Sequence, residues 1–527
     1  MLSSFYSRVT VICISAVLIA GVSTVLQDMA LVANLESKAV PAHQLQAEYL
    51  ALVQVGRGKS AFEKAFIHGD RLFDSAYNAL DGGGANVGQG QRYTRIPRAD
   101  LRGSDEWAMH TPSRTTGPNA QSCVECHSKP AADGSGGIAA NVTRDPLHTG
   151  NIGQMIHRNT PHIFGAGAVQ RLAEEMTIEL FAQRDSLLTR VRTTRIASSI
   201  PLTAKGVSFG VLAAQIIVGG TQANPTSVAQ LDTVGVRGVS SDLIVRPFQW
   251  KGSVGFLRDF NRSAAHNEIG MQAVELVGEG VDGDGDQVVD ELTVGDITAI
   301  TMYIAAQPRP VSKVELDQLG ILPDPLSWMQ VQQIEAGRQA FVSIGCAVCH
   351  IPALSLQDSI FREPSSIPAF RDSRFPSGAV ARLSGLRFDL PISFDLTADQ
   401  PQNIFIINGQ LVRLGSFRRM TNNNGAVVEL FGDLKRHDMG PDLAENVDEG
   451  GFGAASFLTE NLWGVGSTAP YMHDGRATTL TEAILWHGGE AANSRTNFRN
   501  LATQAQLNVL LFLENLTLLK GGVPIGK

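Results

Sequence analysis

Apolar positions recur at helical spacing in short, separated stretches. Residues 334–342 (Ile-Glu-Ala-Gly-Arg-Gln-Ala-Phe-Val) read as a short helix running into Gly345, and residues 66–73 repeat that spacing in the first half. The pattern also predicts helices over 155–166 and 172–188, with closing helices over 292–306 and 504–519. Strand-like alternation falls only in the second half, at 387–390, 403–414 and 426–431. There Asn408-Gly409 between apolar runs is a hairpin signal. Near the N-terminus Arg8 precedes an uncharged apolar run over residues 9–26. Such a run fits an export signal or a retained anchor, and it places the first 34 residues outside the folded body.

The two halves resemble each other. Arg246-Pro-Phe-Gln-Trp-Lys-Gly252 leads through Leu257 to His266, and Ala469-Pro-Tyr-Met-His-Asp-Gly475 leads through Leu480 to His487. In both, a Pro–aromatic loop closes on Gly, an amphipathic turn follows, and a histidine ends it. Each half then finishes on a helix. This internal repeat predicts two domains of one kind, at 35–310 and 326–527, joined by a proline-marked linker over 311–325. A small β insertion near 385–432 belongs to the second. The expected class is mainly α, with long loops, because 53 Gly and 23 Pro punctuate the chain of 527 residues.

Charge and cysteine content narrow the chemistry. Lys+Arg of 43 against Asp+Glu of 51 leaves a net charge of −8, the wrong sign for a nucleic-acid partner. Five cysteines exclude a disulfide scaffold, and no phosphate loop, dinucleotide fingerprint, H-E-x-x-H or nucleophile elbow occurs. Cys13 lies inside the apolar run, and the other four form Cys123-Val-Glu-Cys126-His127 and Cys346-Ala-Val-Cys349-His350. Two cysteines at this spacing can hold one haem as thioethers, and the following histidine then meets the iron as proximal ligand. A redox dithiol lacks its βαβ context, and a single zinc site leaves both histidines unexplained. Disulfides across such short loops are strained. The sequence thus predicts two covalent haem c groups, with proximal ligands His127 and His350. It also predicts an exported protein of the periplasm or cell envelope, because c-type haem is attached outside the bacterial cytoplasm.

The sixth position of each iron decides function: filled by His or Met it favours electron transfer, and left open it admits a small oxidant. His487 and His266 are the candidate distal ligands. Met271, His162, His437, Met439, Met472 and His473 are rivals with stronger structural readings. Trp250, Trp463 and Trp486 are candidates to line or bridge the haems, and Arg258 and Arg476 to pair with propionates. Separately, Asp282, Asp284, Asp286 and Asp290 form an acidic run whose alternate carboxylates can converge on Ca²⁺, although the EF-hand pattern is broken at Gln287 and Thr293.

Together the haem motifs, Trp250-Lys-Gly252, His266-Asn-Glu-Ile-Gly-Met271, His437-Asp-Met-Gly440, Leu462-Trp-Gly464 and the stretch from Thr468 to Glu490 resemble one family. It is that of the bacterial di-haem cytochrome c oxidoreductases, thiol-oxidoreductase-like and peroxidase-like. The di-haem cytochrome c peroxidases and the di-haem enzyme that matures methylamine dehydrogenase are more distant relatives. The resemblance implies two cytochrome-c-like domains facing each other. One haem takes electrons from a partner, such as a small cytochrome, and the other reduces peroxide. It also implies that His487 stands where those peroxidases carry a Met ligand, making that centre bis-histidine. The competing expectation is a non-catalytic electron-transfer cytochrome with both irons six-coordinate. Cysteines that carry haem cannot also serve as thiol nucleophiles.

Overall fold

The computed structural model describes residues 38–84, 119–128, 142–144, 152–221, 224–283, 286–371, 386–407, 409–421, 425–518 and 523–524. The N-terminal apolar run, Asp284 and Asn408 lie outside these residues. Helices dominate: α1 (Gln46–Gln54), α2 (Gly58–Asp74), α3 (Ala166–Thr194), α4 (Leu257–Ala264) and α5 (Val294–Ala305) come from the first half. The second half supplies α6 (Trp328–Ser343), α7 (Leu480–Trp486), α8 (Ala492–Arg499) and α9 (Thr503–Asn515). Side-chain caps start several of them. Thr293 and Asp296 form a capping box on α5, Ser327 and Gln330 one on α6, and Thr479 and Glu482 one on α7.

One packing device occurs twice. α2 crosses α5 at Gly69, where a Cβ would overlap the Ala299 carbonyl and lie 2.7 Å from Tyr303 Cβ. α6 crosses α9 at Gly337, where a Cβ would overlap the Asn508 carbonyl and lie 3.0 Å from Phe512 Cβ. Four residues on, Phe73 meets Tyr303 at 5.2 Å between ring centres, and Phe341 meets Phe512 at 5.3 Å. The same two phenylalanines face the motif histidines, Phe73 at 6.1 Å from His127 and Phe341 at 6.3 Å from His350. Each crossing therefore fixes an aromatic wall beside a Cys-x-x-Cys-His turn.

The strands pair antiparallel, and all but two, Val207–Thr221 and Asn224–Asp232, are short. β1 (Val142–Arg144) pairs with β2 (Ile156–Arg158). Residues 155–166 are thus a strand and a loop, where helical spacing suggested a helix; Pro161 lacks the N–H and disfavours helix at Thr160. β3 (Ser198–Ala204), β4 (Val207–Thr221) and β5 (Asn224–Asp232) form a three-stranded sheet that the mainly α expectation for the first half did not contain. Its tight turn at Lys205-Gly206, both at positive φ, is the local signal for that hairpin. In the second half come β6 (Leu354–Leu356), β7 (Ile360–Glu363), β8 (Ile392–Asp395), β9 (Ile404–Ile407) and β10 (Gln410–Arg413). They are followed by β11 (Ala426–Val428), β12 (Arg436–Asp438) and β13 (Ser456–Leu458). β9 and β10 form the expected hairpin around 408–409.

The main core ignores the midpoint of the chain. Leu354, Phe361, Phe394 and Val428 are buried in one cluster with Phe62, Leu172 and Tyr303. The Phe62 and Phe394 rings meet, tilted, at 4.9 Å between centres. The β insertion therefore packs against α2, α3 and α5, while α6, α7 and α9 close a second cluster around Phe341, Val509 and Phe512.

Candidate haem-binding site

α6 ends at Ile344, Gly345 turns the chain at φ +91°, and Cys346–Val348 makes one helical turn before Cys349 and His350. These residues open on a cavity of about 510 Å³. On its other side α7 ends at Trp486 and the chain leaves the helix at His487, whose side chain also lines the cavity. The two imidazoles stand 6.3 Å apart between ring centres, at an interplanar angle of 56°. His350 Nδ1 donates to the Phe431 carbonyl at 3.1 Å, and His487 Nδ1 to the Ala483 carbonyl at 2.8 Å. Those bonds fix the tautomer and leave Nε2 of each ring as the lone-pair nitrogen, the arrangement metal-bound histidines use.

Burial keeps both rings neutral: it pushes His350 down to about 4, with the neighbouring His487 adding to it, and lowers His487 as well. Two imidazoles on opposite sides of one metal, with bonds of about 2.0 Å, place their ring centres about 6.2 Å apart. The observed separation fits an iron between them. The apolar walls suit a porphyrin, and the Cys346 thiol, raised to about 11 by burial, lies at the rim.

The first half of the chain closes this cavity. Asn159, Thr160, Pro161, His162 and Trp250 line it alongside residues of the second half. Asn159 is the anchor: its N–H donates to the His473 carbonyl at 2.7 Å, its Nδ2 to the Pro470 carbonyl at 2.6 Å, and its own carbonyl accepts from Trp250 Nε1 at 2.8 Å. His162 Nε2 donates to the Trp463 carbonyl at 2.7 Å. That bond occupies it as a wall residue, and burial takes it down to about 4.

The rival ligands have structural tasks. His473 stacks on Phe457 at 4.2 Å, and burial lowers it to about 4. His437 places Nδ1 2.8 Å from Glu490 and Nε2 2.8 Å from Asp433, so neither nitrogen is left for a metal. Burial opposes its charged form, but the Asp433 hydrogen bond leads the groups that lift it to about 10. With Cys349 and Asp433 it makes the one group of metal-type ligands among the described residues. Met439 and Met472 line the cavity.

Trp463 lines the cavity and packs on Phe417, whereas Trp486 is 37% exposed beneath Arg476. Arg476 pairs with Asp474. Arg258, expected near a propionate, is buried between Glu275 and Glu363 and serves the core instead. Arg495 was missed: it lines the cavity with Nε buried and unpartnered, as a propionate-binding guanidinium would be. Its signal was the first cation after His487, on the next helix. Glu460 also lines the cavity, and burial raises it to about 7.

The first motif is folded as a turn capped by Ser122, whose side chain accepts from the Glu125 N–H. No disulfide joins Cys123 to Cys126 or Cys346 to Cys349. His127 is buried and driven down to about 4, with a hydrogen bond to the Pro161 backbone opposing the shift and His162 reinforcing it. Cys123 packs against the cluster of Tyr77, Ile269 and Met271. His266 lies in a π-type turn, Ala265–Ile269, that contributes to this cluster, and Met271 is wholly buried there. Residues 129–141, which follow His127, are outside the described residues.

In the acidic loop, Asp282 accepts from the N–H groups of Asp286 at 3.2 Å and Gln287 at 3.0 Å, and Asp290 from Gly280 at 2.7 Å. These bonds fold the run into a tight turn.

Residues 400–516 match the family described as "Di-haem oxidoreductase, putative peroxidase". The matched segment holds Phe431, His437, His473, His487 and Arg495, and lies downstream of both Cys-x-x-Cys-His motifs. No curated protein matches the chain. Solved structures similar to the chain at low identity include hydrazine synthase and a MauG-like protein. Hydrazine synthase of Kuenenia stuttgartiensis, pressurised with xenon, has 15% identity and a TM-score of 0.20, covering 46% of this chain and 69% of its own. A MauG-like protein associated with microbial copper homeostasis has 16% identity and a TM-score of 0.23, covering 51% of this chain and 68% of its own.

Proposed function

We propose that the protein is an exported di-haem c-type oxidoreductase that reduces a small oxidant such as peroxide. Cys346 and Cys349 would hold one haem, with His350 and His487 toward its iron, for electron relay. Cys123 and Cys126 would hold the other, with His127 toward its iron, for reduction of the oxidant. The carrying observation is the His350–His487 pair, held at 6.3 Å with each Nδ1 tied to a carbonyl. When bound, each haem supplies an iron that gains or loses one electron at a time. Reduction of hydrogen peroxide to two waters consumes two electrons and two protons, so a pair of such centres matches the stoichiometry.

The chain's residues divide the work. Phe431 and Ala483 keep both imidazoles of the relay centre as Nε2 donors, which excludes an added ligand there. Arg495 pairs with a propionate. At the first centre His266 would be the residue that yields to the oxidant, with the buried Met271 its competitor; the π-type turn carrying His266 is a backbone form frequent at functional sites. Electrons come from a soluble redox partner. The family match over 400–516 supports the oxidoreductase class. Two further readings belong here: Ca²⁺ bound by Asp282, Asp284, Asp286 and Asp290, and a periplasmic or envelope location through residues 1–34. No helix among the described residues is long and apolar enough to cross a membrane.

Electron paramagnetic resonance of the oxidised and half-reduced protein tests the proposal, with carbon monoxide as a ligand probe. One permanently low-spin centre and one centre that gains a high-spin fraction on half-reduction are expected. His487→Gly should turn the C-terminal centre high-spin, and a His266 variant should affect only the N-terminal one. Two centres that stay low-spin in every state, inert to peroxide and carbon monoxide, would leave the electron-transfer cytochrome as the correct reading.

A further inference from the structure

We infer that Glu490, with His437 and Asp433, is a positioning device that sets the distal His487 on the iron of the C-terminal haem. The inference rests on the bis-histidine reading of that centre. His487 stands at a joint: α7 has ended, Gly488 breaks the helix, and only a short turn, Gly489–Ala491, follows. What holds them is a backbone-to-backbone seam with the segment after β12. A Cβ on Gly488 would lie 2.7 Å from the Met439 carbonyl oxygen, one on Gly489 would overlap the Asp438 carbonyl, and one on Gly440 would lie 2.8 Å from the Gly489 nitrogen. Only glycine permits this approach from either side.

Glu490 fastens the seam. Its Oε1 accepts from the Asp438 N–H at 3.0 Å and its Oε2 from His437 Nδ1 at 2.8 Å. The other nitrogen of His437 donates to Asp433 Oδ2 at 2.8 Å, and Asp433 Oδ1 accepts from the Lys435 N–H at 3.0 Å. A ring that donates from both nitrogens to two carboxylates is cationic, and such charge-assisted bonds are the stronger kind.

The same loop also holds the opposite imidazole. Asp433 follows Phe431, whose carbonyl accepts from His350 Nδ1, and Gly432 N–H donates to the Ile351 carbonyl at 3.0 Å. Residues 431–438 therefore grip the proximal ring at one end and, through Glu490, the distal ring at the other. One segment sets the gap between the two imidazoles. His437 is not a ligand in this arrangement; it transmits position.

The test uses the haem-loaded full chain, with His487→Gly as the reference for complete loss of the distal ligand. Glu490→Ala removes two hydrogen bonds, so the ligand-off population of the C-terminal centre should rise roughly ten- to a hundredfold. That rise is read as a high-spin signal and a carbon monoxide band. Glu490→Gln keeps a carbonyl acceptor and should recover most of the low-spin signal, and added imidazole should restore it in Glu490→Ala. His437→Gln is the second variant, should Glu490→Ala fail to fold, and should open the same centre. Unchanged spectra of the N-terminal centre serve as the folding control. Folded Glu490→Ala and His437→Gln proteins that stay low-spin and inert to carbon monoxide, while His487→Gly turns high-spin, would overturn the positioning role alone. A low-spin C-terminal centre in His487→Gly would overturn the bis-histidine reading and the positioning role with it.

Discussion

Replacing Gly337 with Ala sets two effects of opposite sign against each other. Inside an exposed helix the change favours folding by about 1 kcal/mol, because Gly loses the most backbone freedom. At this position the new Cβ would overlap the Asn508 carbonyl and lie 3.0 Å from Phe512 Cβ, and neither atom is the far end of a flexible side chain. α6 and α9 must therefore separate, loosening the Phe341–Phe512 contact at 5.3 Å. Overpacking of this kind costs roughly 1–3 kcal/mol, which outweighs the helical gain through most of its range. With the overlap at the costly end, the net loss of about 2 kcal/mol should lower Tm by roughly 4–8 °C in a thermal melt of the haem-loaded protein followed by far-ultraviolet circular dichroism. Gly69→Ala should behave alike, since its Cβ would overlap the Ala299 carbonyl. Gly58→Ala, on α2 with open space around it, should leave Tm unchanged or raise it. Because Phe341 faces His350, Gly337→Ala should also shift the absorption of the C-terminal haem, and Gly69→Ala that of the N-terminal one. A Gly337→Ala protein as stable as the parent would refute the close crossing and the reasoning built on it.

Three other outcomes follow from particular residues. Pyridine haemochrome assay of denatured, washed protein should give two covalent haems per chain, and a value near one would refute the duplicated attachment. Ca²⁺ at a hundred times its dissociation constant should add about 2.7 kcal/mol of stability, reversed by chelation and weakened in Asp284→Asn. A melt insensitive to both would assign the acidic loop to turn closure alone. Burial alone would raise Asp296, but hydrogen bonds with His43 and His68, both at 2.7 Å, hold it below the usual carboxylate range, while the Asp296 bond raises His43. The Asp296 contribution is present above pH ~4 and lost as pH falls through its depressed pKa; that of His43 is present below pH ~6.5 and lost as pH rises through its raised one. Asp296→Asn should therefore cost most, about 3 kcal/mol, between those limits in urea titrations. A penalty independent of pH from 3 to 8 would contradict the linkage.

The Cys-x-x-Cys-His turns and the helices before them were legible because they depend on local spacing. Glycine four residues before Phe73 and Phe341 was also present in the sequence, but its meaning needs the partner helix. The β3–β5 sheet was hidden by the dominance of helical spacing around it, although Lys205-Gly206 marks its turn. Arg258 illustrates the limit from another side. A lone arginine after a Pro–aromatic loop suggests a propionate, yet its partners, Glu275 and Glu363, come from two distant segments. Likewise no local pattern could separate His487, whose Nδ1 meets a carbonyl four residues back, from His437, whose two nitrogens are taken by carboxylates from elsewhere.

Under the proposed ligation the two centres differ in how their histidines are supported, and that difference bears on the division of labour. At the C-terminal site both imidazoles are fixed through Nδ1, and residues 431–438 reach both; a centre so constrained changes little in geometry when its charge changes, which suits electron relay. At the N-terminal site His127 lies beside Pro161, and the two residues proposed to compete for the distal position stand close in sequence, His266 on the π-type turn and Met271 just beyond it. Pro161 and His162 also line the C-terminal cavity. The strap of residues 159–162 thus touches the proximal ligand of one centre and the wall of the other, and it is pinned at Asn159 by three hydrogen bonds. Anything that shifts His127 must work against that anchor and is felt at the neighbouring cavity. A chain serving only to carry electrons would need the two centres close, but it would gain nothing from rigid support at one and competing ligands at the other. That asymmetry favours the oxidoreductase over the simple wire.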